Sequence, residues 1–188
     1  MKKRSTVWAT FAISCLSIFG CLPVSDNPLP PYGDLTDLAA PYLGEWNLIQ
    51  MLGMADVASC TLEVAMRGTA ELEITIEDAT STSSSICTLH EIDNIHYVSI
   101  TVDTDLEVTY GIYRLVLLGP GNNRLEIYAL DSHTLENAIN LNEIEGTITD
   151  LEGSSLIRIT DTSENIEAYV RTKSQAFEIN PVMVFQKK

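Results

Sequence analysis

The stretch from Leu62 to Glu77 constrains the fold most. Leu72, Ile74 and Ile76 alternate with Glu71, Glu73, Thr75 and Glu77, and Leu62, Val64 and Met66 alternate in the same way just before them. Successive side chains of an extended strand point to opposite faces. Each run therefore has one apolar face and one polar face, and Arg67-Gly68-Thr69 supplies the turn of a hairpin between them. Two such strands ask for a core on one side and water on the other.

The same rhythm continues downstream. Val98, Ile100 and Val102 share one face of a further strand, with His96 at its start, and the stretch 103–105 turns the chain. Tyr110 to Leu118 is apolar on both faces, which predicts a central strand or one covered by a helix. Gly119-Pro120-Gly121-Asn122-Asn123 is a strong turn, and Leu125, Ile127 and Ala129 continue as a strand. Thr80 to Ser85 is of low complexity and reads as a loop.

The last third changes period. Leu135, Ala138 and Ile139 sit at helical spacing behind Asp131 or Ser132 as cap. Leu156 to Thr160 returns to strand. Asp161 followed by Glu164 matches a capping box, and Ile166, Tyr169, Val170 and Phe177 fall on one helical face. After Pro181, Val182 to Gln186 reads as a closing strand. Many short strands suggest a sandwich or a barrel, and closure removes exposed edges. The expected fold is mainly β, an antiparallel up-and-down β-barrel with one or two C-terminal α-helices. A mixed α+β sheet is the alternative.

The N-terminus sets the expected compartment. Lys2, Lys3 and Arg4 precede a mostly apolar run from Val7 to Phe19, and Gly20 precedes Cys21. This order is the secretory signal pattern. The run of about 13 residues is short of the roughly 20 that a spanning helix needs. Ile18-Phe19-Gly20-Cys21 resembles the lipobox of bacterial lipoproteins, which implies cleavage before Cys21 and acylation of that residue. Ala12-Ile13-Ser14-Cys15 offers a second reading, with an apolar region of only about seven residues, so Cys21 is preferred. Leu22 stands where an aspartate would mark inner-membrane retention, which resembles outer-membrane cargo. The expected location is the cell envelope, with a lipid anchor, on the outer membrane.

The expected boundaries are a signal peptide over 1–20, a tether over 21–41 and one domain over 42–188. Pro23, Pro28, Pro30, Pro31 and Pro41 make the tether proline-rich, and such chain is stiff and extended. Removing residues 1–20 takes three of the eleven basic residues and no acidic one, so the net charge falls from −15 to −18. That charge repels phosphate backbones and argues against a nucleic-acid partner. Cys60 and Cys87 are an even pair in an exported chain, which predicts a disulfide. It would close a loop of about 28 residues, worth roughly 3.5 kcal/mol.

Tyr42-Leu43-Gly44-Glu45-Trp46 resembles the Gly-x-Trp start of the lipocalin and calycin barrels. The resemblance implies that Trp46 plugs one end of the barrel, with a basic residue packed over it, for which Arg171 is a weak candidate. A longer resemblance, through Leu125–Asp131, Leu156–Thr160 and Asn165–Val170, is to small bacterial lipoproteins. It implies the fold and the location without an activity.

Enzyme motifs are missing: there is no Gly-x-Ser-x-Gly, His-Glu-x-x-His or phosphate-binding glycine loop. Ser83 to Ser85 read as loop polarity. His90 and His133 have no metal-ligand spacing, and Asp103, Asp105 and Glu107 read as a solvated turn rather than a calcium loop. No catalytic residue, metal or cofactor is expected. His96 is the candidate ligand contact, because it shares a face with Val98 and Ile100. Two roles follow. The first is an anchored barrel holding a small apolar or amphipathic ligand. The second is an envelope structural or protein-interaction module whose barrel is filled by its own side chains. The expected partners are membrane lipid, through Cys21, and that small ligand.

Overall fold

The computed structural model describes residues 23–30, 33–52, 59–79, 81–103, 108–151, 154–173 and 175–188. The signal segment, Cys15, Cys21, Asp105 and Glu107 lie outside them. In chain order the elements are β1 (Val24–Ser25), α1 (Thr36–Ala39), β2 (Gly44–Met51), β3 (Cys60–Arg67), β4 (Glu71–Asp78), β5 (Thr82–Ile92), β6 (Ile95–Asp103), β7 (Val108–Leu118) and β8 (Arg124–Ala129). There follow α2 (Ser132–Asn140), β9 (Gly146–Leu151), β10 (Ser154–Ile159), α3 (Ser163–Thr172) and β11 (Met183–Lys187).

Strands β2 to β8 each pair antiparallel with the next, and β11 pairs with both β8 and β2. Eight strands therefore close into an antiparallel barrel, as expected, and the mixed-sheet alternative does not apply. The alternation read from the sequence sets the faces. Leu62 pairs with Ile76, Val64 with Ile74 and Met66 with Leu72. Leu72 is buried, Ile74 and Ile76 line the interior, and Glu71, Glu73 and Glu77 are exposed. The two-residue loop Asp93-Asn94 joins β5 to β6 with both φ values positive (54° and 62°). That is the geometry whose twist matches a hairpin, and Asn and Asp adopt it most readily after glycine.

β7 is apolar on both faces because it serves two cores. Tyr113 and Leu115 belong to the barrel interior. Ile112 faces outward into a second cluster with Tyr97, Ile157, Ile159, Ile166 and Tyr169. Near Tyr110 the sheet also branches: Ser25 of β1 pairs with Tyr110, β1 lies parallel to β10, and β10 pairs with β9. The segment between β8 and β11 thus forms an outer layer, and α3 packs its Ile166–Tyr169–Val170 face there.

Four expectations need correction. The first is the tether. From Pro23 to Ala39 the described residues pack on the barrel, with Ser25, Leu29, Leu35 and Ala39 at 0–1% exposure. Asn27 Nδ2 donates to the Asp161 carbonyl (2.8 Å), and Leu29 N–H donates to Ser99 Oγ (3.1 Å). Proline lacks an N–H, but that does not stop a segment from burying apolar surface. The second is the disulfide: none joins Cys60 and Cys87. Cys87 pairs with Leu72, which pairs with Met66, six residues along β3 from Cys60. Those six residues span about 20 Å, whereas a bridge needs Cα atoms within about 7 Å.

The third correction concerns α3. Its cap is Thr162, whose side chain accepts from Asn165 N–H (3.3 Å), and Phe177 lies past the helix end, bridged to Leu130. Asp161 is a buried hub instead, accepting from the N–H groups of Glu145 and Thr162 and from Asn165 Nδ2. Burial pushes its carboxyl up, but these three donors outweigh it and hold the group below the usual range. The fourth is Thr80 to Ser85: β5 already runs from Thr82, so the serines are strand residues.

Candidate functional site inside the barrel

One end of the barrel is closed among the described residues. The start of β2 and the ends of β3, β7 and β11 meet there, and α1 seals it with fully buried Leu35 and Ala39. Leu35 N–H donates to the Thr69 carbonyl in the β3–β4 turn (2.7 Å), which ties the helix to the rim. Trp46 is completely buried behind this seal, and its Nε1–H donates to the Tyr42 carbonyl (2.8 Å). Lys187 lies opposite Trp46 in the β2–β11 pairing. Its ammonium sits 5.1 Å from the centre of the indole and donates to the Pro41 carbonyl (3.2 Å). The basic residue over the tryptophan is therefore Lys187. Arg171 lies on α3, half-exposed, pairing with Glu167 and Asp93.

Above the seal lies an apolar cavity of about 90 Å³. Tyr42 lines it at the closed end, and its hydroxyl is hydrogen-bonded to His96 Nδ1. The two rings meet edge to face, 5.6 Å between centres. Burial pushes the Tyr42 phenol above its ordinary range. His96 is not among the lining residues; it supports the one that is. The walls are Leu89 and Val98 at depth, then Leu72, Leu115, Ile127 and Phe185.

Towards the opposite end the described lining becomes half-exposed: Ile74 and Ile76 on β4 face Ser85 and Ser83 on β5 in register. Reading these serines as loop missed them. A strand pattern of small polar residues has no apolar alternation to reveal it, and only the pairing with β4 shows which hydroxyls point inward. Cys87 follows one step deeper, 1% exposed, and burial pushes its thiol up to about 12. A thiol of that kind is a small apolar wall residue rather than a nucleophile.

Of the other sequence candidates, His90 points outward but is 3% exposed under the N-terminal segment. Its Nδ1 bonds the Pro30 carbonyl (2.8 Å) and its Nε2 bonds Thr88 Oγ1 (3.0 Å). His133 is exposed on α2. Among the described residues no group of His, Cys, Asp and Glu is placed to hold a metal ion. The molecule is thus a closed eight-stranded up-and-down barrel with an apolar interior cavity and an outer helical layer. No protein-family model, curated protein or solved structure matches the chain.

Proposed function

We propose that this chain is an envelope lipoprotein, of lipocalin-like build, held on the outer membrane through acylated Cys21, and that its barrel takes up a slender apolar ligand. The observation that carries the binding role is the cavity: apolar along its length, sealed at Tyr42 and graded towards Ser83 and Ser85 at the other end. About 90 Å³ is well under the roughly 300 Å³ of drug-sized sites. It is also smaller than the roughly 150 Å³ engineered cavity that stays dry and holds benzene. The ligand class is therefore a short unbranched alkyl segment rather than a ring system, with any polar head left at the serines. The role is binding, with no chemistry performed.

Native mass spectrometry of gently purified protein tests this directly. An adduct lost on mild activation, and excluded by Ser85→Phe at the mouth, is the expected result. An interior that stays unoccupied, and no binding of alkyl chains added in solution, would leave the second reading. That reading is a filled barrel serving as a structural or interaction module, and the small volume is the observation that favours it.

The anchor has its own test. Only Leu22 separates Cys21 from buried Pro23, so acyl chains on Cys21 would keep the domain close to the bilayer. Burial of several chains at about 0.8 kcal/mol per CH₂ makes such attachment stable where a single chain is marginal. Cys21→Ser should abolish incorporation of labelled fatty acid and release the protein from membranes. Undiminished labelling would show that Cys21 is not the acylated residue and would point to Cys15.

A further inference from the structure

A second pocket lies outside the barrel, between the outer face of the sheet, the start of α2 and the segment leading to β11. It encloses about 640 Å³, and Arg114, Asp131, Thr134, Phe177, Glu178 and Ile179 are on its wall. Arg114 projects from β7 between Tyr97 and Tyr128 of the neighbouring strands. Its guanidinium stacks over the Tyr128 ring at 4.5 Å and the Phe177 ring at 5.5 Å. Arginine favours such stacking because its planar cation is weakly hydrated.

The stacking fixes the guanidinium plane but supplies no acceptor. Arg114 Nε is buried with no hydrogen-bond partner, and Arg114 takes part in no ion pair among the described residues. Arg114 as a whole is only half-buried and stands on the pocket wall, and a guanidinium that has no ion pair there favours an anionic acceptor.

The neighbouring acids do not fill that role. Asp131 is occupied as the α2 cap, accepting from Thr134 N–H (2.7 Å). Burial, then the Asp131 charge and a hydrogen bond to it, push the Glu178 carboxyl up. Asp131 and Glu178 are hydrogen-bonded to each other and stand together on the pocket wall, where their carboxyl oxygens form an acceptor pair. At the rim, Ile179 is 93% exposed. An isoleucine left so bare beside a polar pocket offers apolar contact to whatever enters.

We propose that this pocket binds a carboxylate bearing an N–H on its α-carbon and an apolar side chain. The carboxylate lies against Arg114, the N–H is received by Asp131 and Glu178, and the side chain rests on Ile179. Free amino acids and the C-terminus of a polypeptide share that chemistry. Arg114 matches a planar carboxylate with parallel N–H donors, while the acceptor pair discriminates against acids that lack the N–H.

Titration calorimetry on the full chain tests the site and separates its two sources, using L-leucine, L-leucinamide, and the peptide Ala-Ala-Leu with a free or an amidated terminus. Removing the carboxylate should weaken binding about 10- to 100-fold, the value of a charge-assisted hydrogen bond. Arg114→Gln should do the same. Because Arg114 also packs on Tyr128, Ile179→Asp provides a second variant at a position too exposed to affect folding; its charge at the rim should weaken binding as well. Carboxylate-dependent binding of L-leucine identifies the free acid as the ligand, and such binding confined to Ala-Ala-Leu identifies a chain terminus. Absence of binding by both acids, equal binding of acid and amide, or full retention by both variants would overturn the proposal.

Discussion

Trp46→Ala is expected to cost roughly 3–5 kcal/mol of folding stability, the range for large buried aromatics. The indole is fully buried at the closed end, so truncation opens a void that the surrounding β-strands cannot collapse to fill. It also deletes the Nε1–H donor to the Tyr42 carbonyl and the ring beneath the Lys187 ammonium. A cation over an aromatic face is worth about 0.5–2 kcal/mol depending on its exposure. Glu73 is the control: it lies on β4 next to the buried and lining residues but faces water. Glu73→Ala should change stability by no more than about 0.5 kcal/mol. Urea melts of the two variants make the comparison. Equal small losses would show that Trp46 is not the plug of this barrel.

The contrast between Trp46 and Glu73 also marks what a sequence can and cannot reveal here. Alternation is a local signal, so the faces of β3, β4 and β6 and the turns at Gly68 and Gly119–Asn123 were legible from neighbouring residues alone. Lys187 over Trp46 was not, because it depends on pairing the first and last strands of the barrel, and no local pattern connects residues 46 and 187. The serines at the mouth were hidden for a related reason. Ser83 and Ser85 carry no hydropathy contrast, and only the register with Ile76 and Ile74 shows that they point inward.

The Cys60/Cys87 expectation failed on register too. An even cysteine count speaks for pairing, but both residues are fixed in strands that flank β4, far apart along its length. The N-terminal segment misled through composition. Its prolines argue for an extended chain in solvent, yet the described residues bend, end in the helix α1 and lie across the outer faces of β6 and β5. The Arg114 pocket had no sequence signal at all. It arises because β7 carries its outward side chains into a second core that only the outer layer creates.

That N-terminal segment leads to the second large effect. His90 is buried beneath it, with Pro30 and Thr88 as hydrogen-bond partners. Burial lowers its pKa to about 4, and the bond to the Pro30 carbonyl, which favours the charged form, only partly opposes this. In the unfolded chain the same imidazole titrates near 6.5. Above pH 6.5 both states hold it neutral, and it makes no difference to stability. As the pH falls from 6.5 towards 4, the unfolded state takes up a proton that the folded state refuses, so stability is lost across that window. Below pH 4 both states are charged and the loss levels off, at about 3 kcal/mol by linkage.

Carboxylates titrate in part of the same range, so the decisive measurement is a difference between two proteins that share them all. His90→Gln has no ring to charge. Its stability in urea should be compared with that of the wild type at several pH values between 7 and 3.5. The wild type should lose ground steadily from pH 6.5 to 4 relative to the variant, then run parallel to it. Whatever hydrogen-bond strength the substitution forfeits appears as a constant offset and does not change this slope. Parallel curves throughout would mean that His90 is protonated in the folded state, and that the segment from Ser25 to Pro30 does not shield it from solvent. The same variant reports on the segment itself. If charging His90 is what loosens it in mild acid, proteolysis between Asp26 and Leu35 should accelerate below pH 6 in the wild type and show no such acceleration in His90→Gln.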